Sequence, residues 1–150
     1  MTARPLRGLS ITAWGAYNDA QLTGPLPVTS TTRGSKGDQL PFSAEWSGSV
    51  SVDGEFPVAL RLTGFVGASV SYTGDRMGGF TGPGIRQELP DYTQVGVNAG
   101  MKGDAWTVNL YGNNIFDKRG AVLGGLGFLY PTSFTYIQPR TVGLSLTRAF

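Results

Sequence analysis

The chain contains no cysteine and no histidine. Without cysteine there is no disulfide framework and no thiolate metal site. Without histidine the commonest general base and the commonest metal ligand are missing together, and the many serines cannot form a Ser-His-Asp triad. Charge is scarce as well: Asp, Glu, Lys and Arg make up 15% of the 150 residues, against ~25% in an average soluble domain. The 12 basic and 10 acidic residues are scattered and leave a net charge of +2, so no nucleic-acid face is expected. No apolar run reaches the ~18 residues that a membrane-spanning helix needs. The opening MTARPLRGLS is basic but lacks an apolar segment, which excludes a secretory signal there.

Glycine, by contrast, is abundant at 23 of 150 residues, about twice the usual ~7%. It interrupts nearly every window long enough for a helix, and no segment sustains a 3.6-residue apolar stripe. Alternation with period two recurs instead. It is clearest at the carboxyl end, RTVGLSLTRAF: Val142, Leu144, Leu146 and Phe150 share one parity, and the small Thr141, Gly143, Ser145, Thr147 and Ala149 share the other. One greasy face and one small, polar face suit a wall between lipid and a watery lumen.

The same period predicts six long strands, over 9–20, 44–53, 59–73, 92–101, 105–116 and the terminal segment. Most are near the ~9–11 residues that let a tilted strand cross a bilayer, whereas globular strands are commonly ~5–6 residues. Short connections are expected at 53–58 (DGEFPV) and 102–104, the latter with Gly103 at positive φ. Long ones are expected at 21–43, 74–91 and 117–138. Short turns on one side and long loops on the other suit an outer-membrane barrel. The fold class expected is therefore all-β, an antiparallel up-and-down meander of about six long strands forming part of a transmembrane β-barrel. Trp14, Tyr17, Trp46, Tyr72, Tyr92, Trp106 and Phe150 lie toward strand ends, where interfacial aromatic girdles would sit. A small autonomous outer-membrane barrel or pore, and a secreted β-sandwich binding module, are the alternatives.

Chemical motifs are weak. Asp53 and Glu55 fall in an expected turn, where acidic residues are ordinary. Asp75 lacks the further carboxylates of a calcium loop. GGLGFL at 124–129 has neither the lysine of a phosphate loop nor dinucleotide-binding spacing. Asn113, Asn114, Asp117, Lys118 and Arg119 form the most polar cluster, and turn chemistry accounts for those residue types better than ligand contact does. No catalytic residue, metal site or cofactor is expected, and the chain is not read as an enzyme.

Two stretches, WTVNLYGNNIFDKR at 106–119 and PRTVGLSLTRAF at 139–150, together resemble the last two strands of TonB-dependent outer-membrane receptors. The segments LRGLSITAWGAYNDAQLT, KGDQLPFSAEWSGSVSV, SYTGDR and LPDYTQVGVNAGMKGDAW follow the order of the preceding part of such barrels, so the resemblance covers nearly the whole chain. Arg148 departs from the family, which often has an aromatic there. The resemblance implies a location in the Gram-negative outer membrane and a function in active uptake of siderophore-bound iron or another large nutrient. It also implies a plug domain and a roughly 22-stranded barrel, of which six strands would be only part. Its partners would be outer-membrane lipid, the barrel-assembly machinery, a metal chelate or other small-molecule ligand and, through an absent N-terminal region, the TonB complex. The 150 residues are accordingly expected to be the C-terminal segment of a longer, exported protein. Ligand contacts would come from the long loops, with Arg33, Lys36, Arg76, Arg86 and Tyr130 as candidates for an anionic iron chelate. Gly143, Leu144, Leu146 and Phe150 resemble the signal read by the assembly machinery through strand addition.

Overall fold

The structure is a computed structural model that describes residues 1–82, 84–125 and 133–149. It is all-β, and the described residues include no helix. In chain order the strands are β1 (Thr2–Leu6), β2 (Leu9–Tyr17), β3 (Trp46–Ala59), β4 (Leu62–Thr73), β5 (Arg76–Met77), β6 (Glu88–Leu89), β7 (Tyr92–Lys102), β8 (Trp106–Asn113), β9 (Ala121–Gly125), β10 (Ser133–Tyr136) and β11 (Thr141–Arg148). Seven of them form one antiparallel meander, in the order β1-β2-β3-β4-β7-β8-β11. The other four make two small hairpins, β5-β6 and β9-β10, inside the long connections.

The expected strands are all present, with one addition and several shifted ends. β1 joins the sheet through a turn at Arg7 and Gly8. Gly8 sits at φ 79°, and a Cβ there would collide with the Glu55 carbonyl, so this turn requires glycine. The DGEFPV segment is not a turn. Its alternation stays in phase with the strand before it, so Gly54, Phe56 and Val58 continue the apolar face and β3 runs on to Ala59. The reversal falls at Leu60 and Arg61 instead, next to a register shift between Pro57 and Ala59. A residue without an N–H is tolerated at such an irregularity. Gly103 is not among the glycines at positive φ; it is small because the Trp106 indole lies over it.

Pairing fixes two faces. Directly paired residues share a face, so the row Ile11–Val52–Ala68–Val97–Gly112–Val142 runs across six strands on one side. The parallel row Ala13–Val50–Val70–Val95 and the row Leu146–Val108–Met101–Gly64–Phe56 lie on that same side. The opposite side carries Ser49–Ser71–Gln94, Thr12–Ser51–Ser69–Gly96 and Ser145–Asn109–Gly100–Phe65. Aromatics and glycines interlock across strands: the Phe65 ring covers Gly100, and the Tyr111 ring covers Gly143.

This sheet has almost no core of its own. The buried hydrophobic residues among those described are Leu89 and Ala121, both outside the meander. Exposed surface totals 10489 Å², whereas a folded monomer of 15.9 kDa should expose only about 7,400 Å². The apolar face contributes to the excess, with Val50, Val66, Val70, Val97, Met101, Leu110, Leu144 and Leu146 all exposed.

The strands are also staggered. Relative to the row through Val97, β2 extends six residues toward the long loops and two toward the short turns, while β11 extends one and six. The strand centres therefore drift by about 0.9 residue per step from β2 to β11, which at ~3.3 Å per residue and ~4.8 Å between strands is a tilt of about 30°.

Candidate functional site

The three long connections, 18–45, 74–91 and 114–140, gather at one end of the sheet. The first two are tied by backbone bonds from Arg33 N–H to the Thr81 carbonyl and from Phe42 N–H to the Met77 carbonyl, each 2.9 Å or shorter. Gly34 makes the close approach possible, since a Cβ there would press on Leu22, Leu26 and Phe80. The second connection is tied to the third by Gln87 Nε2, which donates to the Ser133 carbonyl at 3.2 Å, and by Arg76.

The residues expected to bind a ligand fall into two groups. Arg33 and Lys36 are exposed on the first connection. Arg76 packs between connections, and Arg86 packs within its own, 74–91. Arg76 is 8% exposed, donates from Nη2 to the Ala121 carbonyl at 2.5 Å, and lies 5.4 Å from the Tyr92 ring centre. Arg86 is half-buried, donates from Nε and Nη2 to the Gly78 carbonyl at 3.1 and 2.9 Å, and stacks 4.3 Å from the Phe80 ring centre. Burial pulls the Arg86 pKa below the usual guanidinium value, and the charge of Asp38 opposes that shift. Both contacts are cation–π pairs that hold a loop down. Tyr130 lies outside the described residues.

The polar cluster after β8 does turn work. Asn114 is 3% exposed at φ 50°. Its Nδ2 donates to the Lys118 and Gln138 carbonyls, and its Oδ1 accepts from Lys118 N–H, all at 2.9 Å. Asp117, at φ 52°, accepts from Arg140 N–H at 3.0 Å and so aligns the start of β11. Asn and Asp tolerate this left-handed backbone better than most residues.

Of the residues resembling an assembly signal, Gly143, Leu144 and Leu146 lie on β11, the last strand of the sheet, and Phe150 is outside the described residues. Leu144 and Leu146 face the apolar side, and Gly143 faces the polar side beneath Tyr111. The expected aromatic girdle divides by face. Tyr17 and Trp46 pack with tilted rings, centres 4.8 Å apart, at the loop end of the apolar face, Tyr72 lies beside them, and Trp106 marks the turn end. Trp14 and Tyr92 lie on the opposite, polar face, apart from these aromatics.

Pattern reading alone missed a pocket on the polar face just below the loops. It encloses about 280 Å³ and is lined by Ser69, Ser71, Gln94, Val95, Gly96, Asn113, Asn114 and Gln138. The signal was present in the alternation, because Ser69 and Ser71 alternate with Ala68, Val70 and Tyr72 along β4, and Gln94 stands beside Val95 on β7. No group of three or more Asp and Glu side chains able to hold a metal occurs among the described residues. No protein-family model matches the chain, and no curated protein is significantly similar to it.

Proposed function

We propose that this chain is a wall segment of an outer-membrane β-barrel. Within that class, we propose that it belongs to a TonB-dependent receptor that takes up siderophore-bound iron or another large nutrient. The observation that carries the reading is the two-faced sheet: one side is continuously apolar and exposed, and the other is lined with hydroxyl and amide groups. In water the apolar side would be an exposed patch far larger than monomeric proteins tolerate, whereas lipid removes that cost. A β-sandwich would cover it with a second sheet, but the other sheets among the described residues are two-stranded and belong to the connections. The tilt of about 30° is close to the ~35–45° of outer-membrane barrels. Among the described residues β1 and β11 are the outermost strands of the sheet, which argues for further strands, since unpaired edges are not stable in lipid. The receptor family, as distinct from the barrel class, rests on the strand motifs at 106–119 and 139–150.

On this reading the chain contributes wall, loops and the β11 assembly strand. A plug and the contact with the TonB complex would be supplied by other parts of the receptor. The test is fractionation of the source organism followed by gel migration with and without heating. A receptor segment predicts an outer-membrane band several times larger than 15.9 kDa that shifts on heating. A soluble or periplasmic protein, or a band with no heat shift, would reject the proposal.

A further inference from the structure

The polar face suits a particular kind of ligand. On paired positions from β2 to β11, its charged residues are Asp53, Glu55 and Lys102, and all three lie on the turn side of the central row. Toward the loops the same face carries hydroxyls, amides and glycine. Trp14 stands among them with 55% of its surface exposed. It is paired with Ser49, which is paired with Ser71, which is paired with Gln94, so the four form a single row across β2, β3, β4 and β7. Trp14 is then about 10 Å from Ser71, two strand spacings away, which is roughly the span of two linked pyranose rings.

Ser71 and Gln94 open directly into the 280 Å³ pocket. Its floor is Gly96, where a Cβ would sit 2.9 Å from Ser69 Oγ and 3.7 Å from Asn113 Oδ1. The side chains of Ser69, Ser71, Gln94 and Asn113 make no hydrogen bond within the described residues. They are therefore available to a ligand that offers donors and acceptors in equal measure. An exposed indole face beside such groups matches a ring with an apolar C–H face and a rim of hydroxyls. Two of the four arginine and lysine candidates for an anionic chelate are meanwhile held in loop packing.

We infer that the loop-side end of this face is a binding site for a neutral, polyhydroxylated ligand of the oligosaccharide class, with Trp14 as the stacking platform and Ser69, Ser71, Gln94 and Asn113 as the hydrogen-bonding groups. The inference rests on the receptor reading and narrows its ligand. An anionic iron chelate finds no cation in this row, whereas a saccharide satisfies both the aromatic and the amides.

The test uses the detergent-purified protein that carries this chain, a panel of neutral oligosaccharides on a glycan array, and calorimetric titration of the best binder. A ferric tricatecholate is titrated in parallel. The expected result is binding of a neutral oligosaccharide that is insensitive to salt and weakened about tenfold or more by Trp14→Ala and by Gln94→Ala. Trp14 is largely exposed, so Trp14→Ala should keep its heat-modifiable migration, which is checked on the same sample. The inference is overturned if no neutral glycan binds, if Trp14→Ala binds as well as the parent, or if the ferric chelate alone binds. Localisation is scored separately from binding, so a protein that reaches the outer membrane without binding glycans defeats this inference and leaves the receptor reading intact.

Discussion

Val97 sits at the centre of β7, paired with Ala68 on one side and Gly112 on the other, and its side chain is 42% exposed on the apolar face. If that face meets lipid, Val97→Arg places a guanidinium near the bilayer midplane. Such a change costs ~2–4 kcal/mol, falling to ~0–1 kcal/mol near the interfaces. Met101 is four residues along the same strand and on the same face, hence about 13 Å away, or about 11 Å along the membrane normal once the tilt is included. That is close to half of the ~25 Å apolar band, so Met101→Arg should cost at most ~1 kcal/mol. Ser51→Arg, on the polar face in the neighbouring row, should cost less than Val97→Arg because its side chain remains in water. The assay is denaturant-dependent folding into lipid vesicles, with the three substitutions carried in the barrel that contains this chain. The Val97 variant should shift the folding equilibrium by roughly 30- to 700-fold and the Met101 variant by less than about tenfold, at ~1.4 kcal/mol per decade. Equal penalties at Val97 and Met101, or a penalty at Ser51 as large as at Val97, would refute the lipid-facing assignment, because only a layered solvent makes the cost depend on depth and side.

Three further outcomes are expected. Gly143→Ala places a methyl group against the Tyr111 ring and should cost ~1–3 kcal/mol; a double-mutant cycle with Tyr111→Ala should recover most of it, and strict additivity would show that the two residues do not interlock. Asn114→Ala removes three hydrogen bonds at a site 3% exposed and puts alanine into the left-handed backbone at φ 50°, for a loss of ~2–3 kcal/mol; a midpoint unchanged in urea would contradict the turn role. Arg61→Gly should stabilise by ~0.5–1 kcal/mol, since Arg61 holds φ 65° and left-handed backbone costs a branched-chain-free L-residue ~1 kcal/mol. The ion pair that Arg61 makes with Asp104 at 3.3 Å is 77% and 65% exposed and contributes only ~0–0.5 kcal/mol; a lower melting temperature for the glycine variant would mean that the pair is worth more than its exposure suggests.

The sequence by itself determined the class of structure. Period-two alternation leaves no choice of element, and because a shift of one residue would put every side chain on the wrong face, it also fixes the phase of each strand. The long strands beginning at Leu9, Trp46, Leu62, Tyr92, Trp106 and Thr141 were legible for that reason. So was the turn role of Asn114 and Asp117, which rests on local backbone chemistry. Strand ends were not legible where alternation ran through a segment of turn-forming composition, as at Asp53 to Val58: local propensity favours a reversal there, and pairing along the whole length of β4 overrides it. Only the tertiary structure decided which cations are spent. Arg76 and Arg86 read as loop charges, yet Arg76 is buried against Ala121 of the third connection, distant in sequence, and Arg86 folds back onto Gly78 and Phe80 of its own connection. The Trp14–Ser49–Ser71–Gln94 row likewise exists only through strand register. Alternation assigns each of those residues to a face, but which residues stand side by side is set by hydrogen-bonded pairing between strands, and no single strand contains that information.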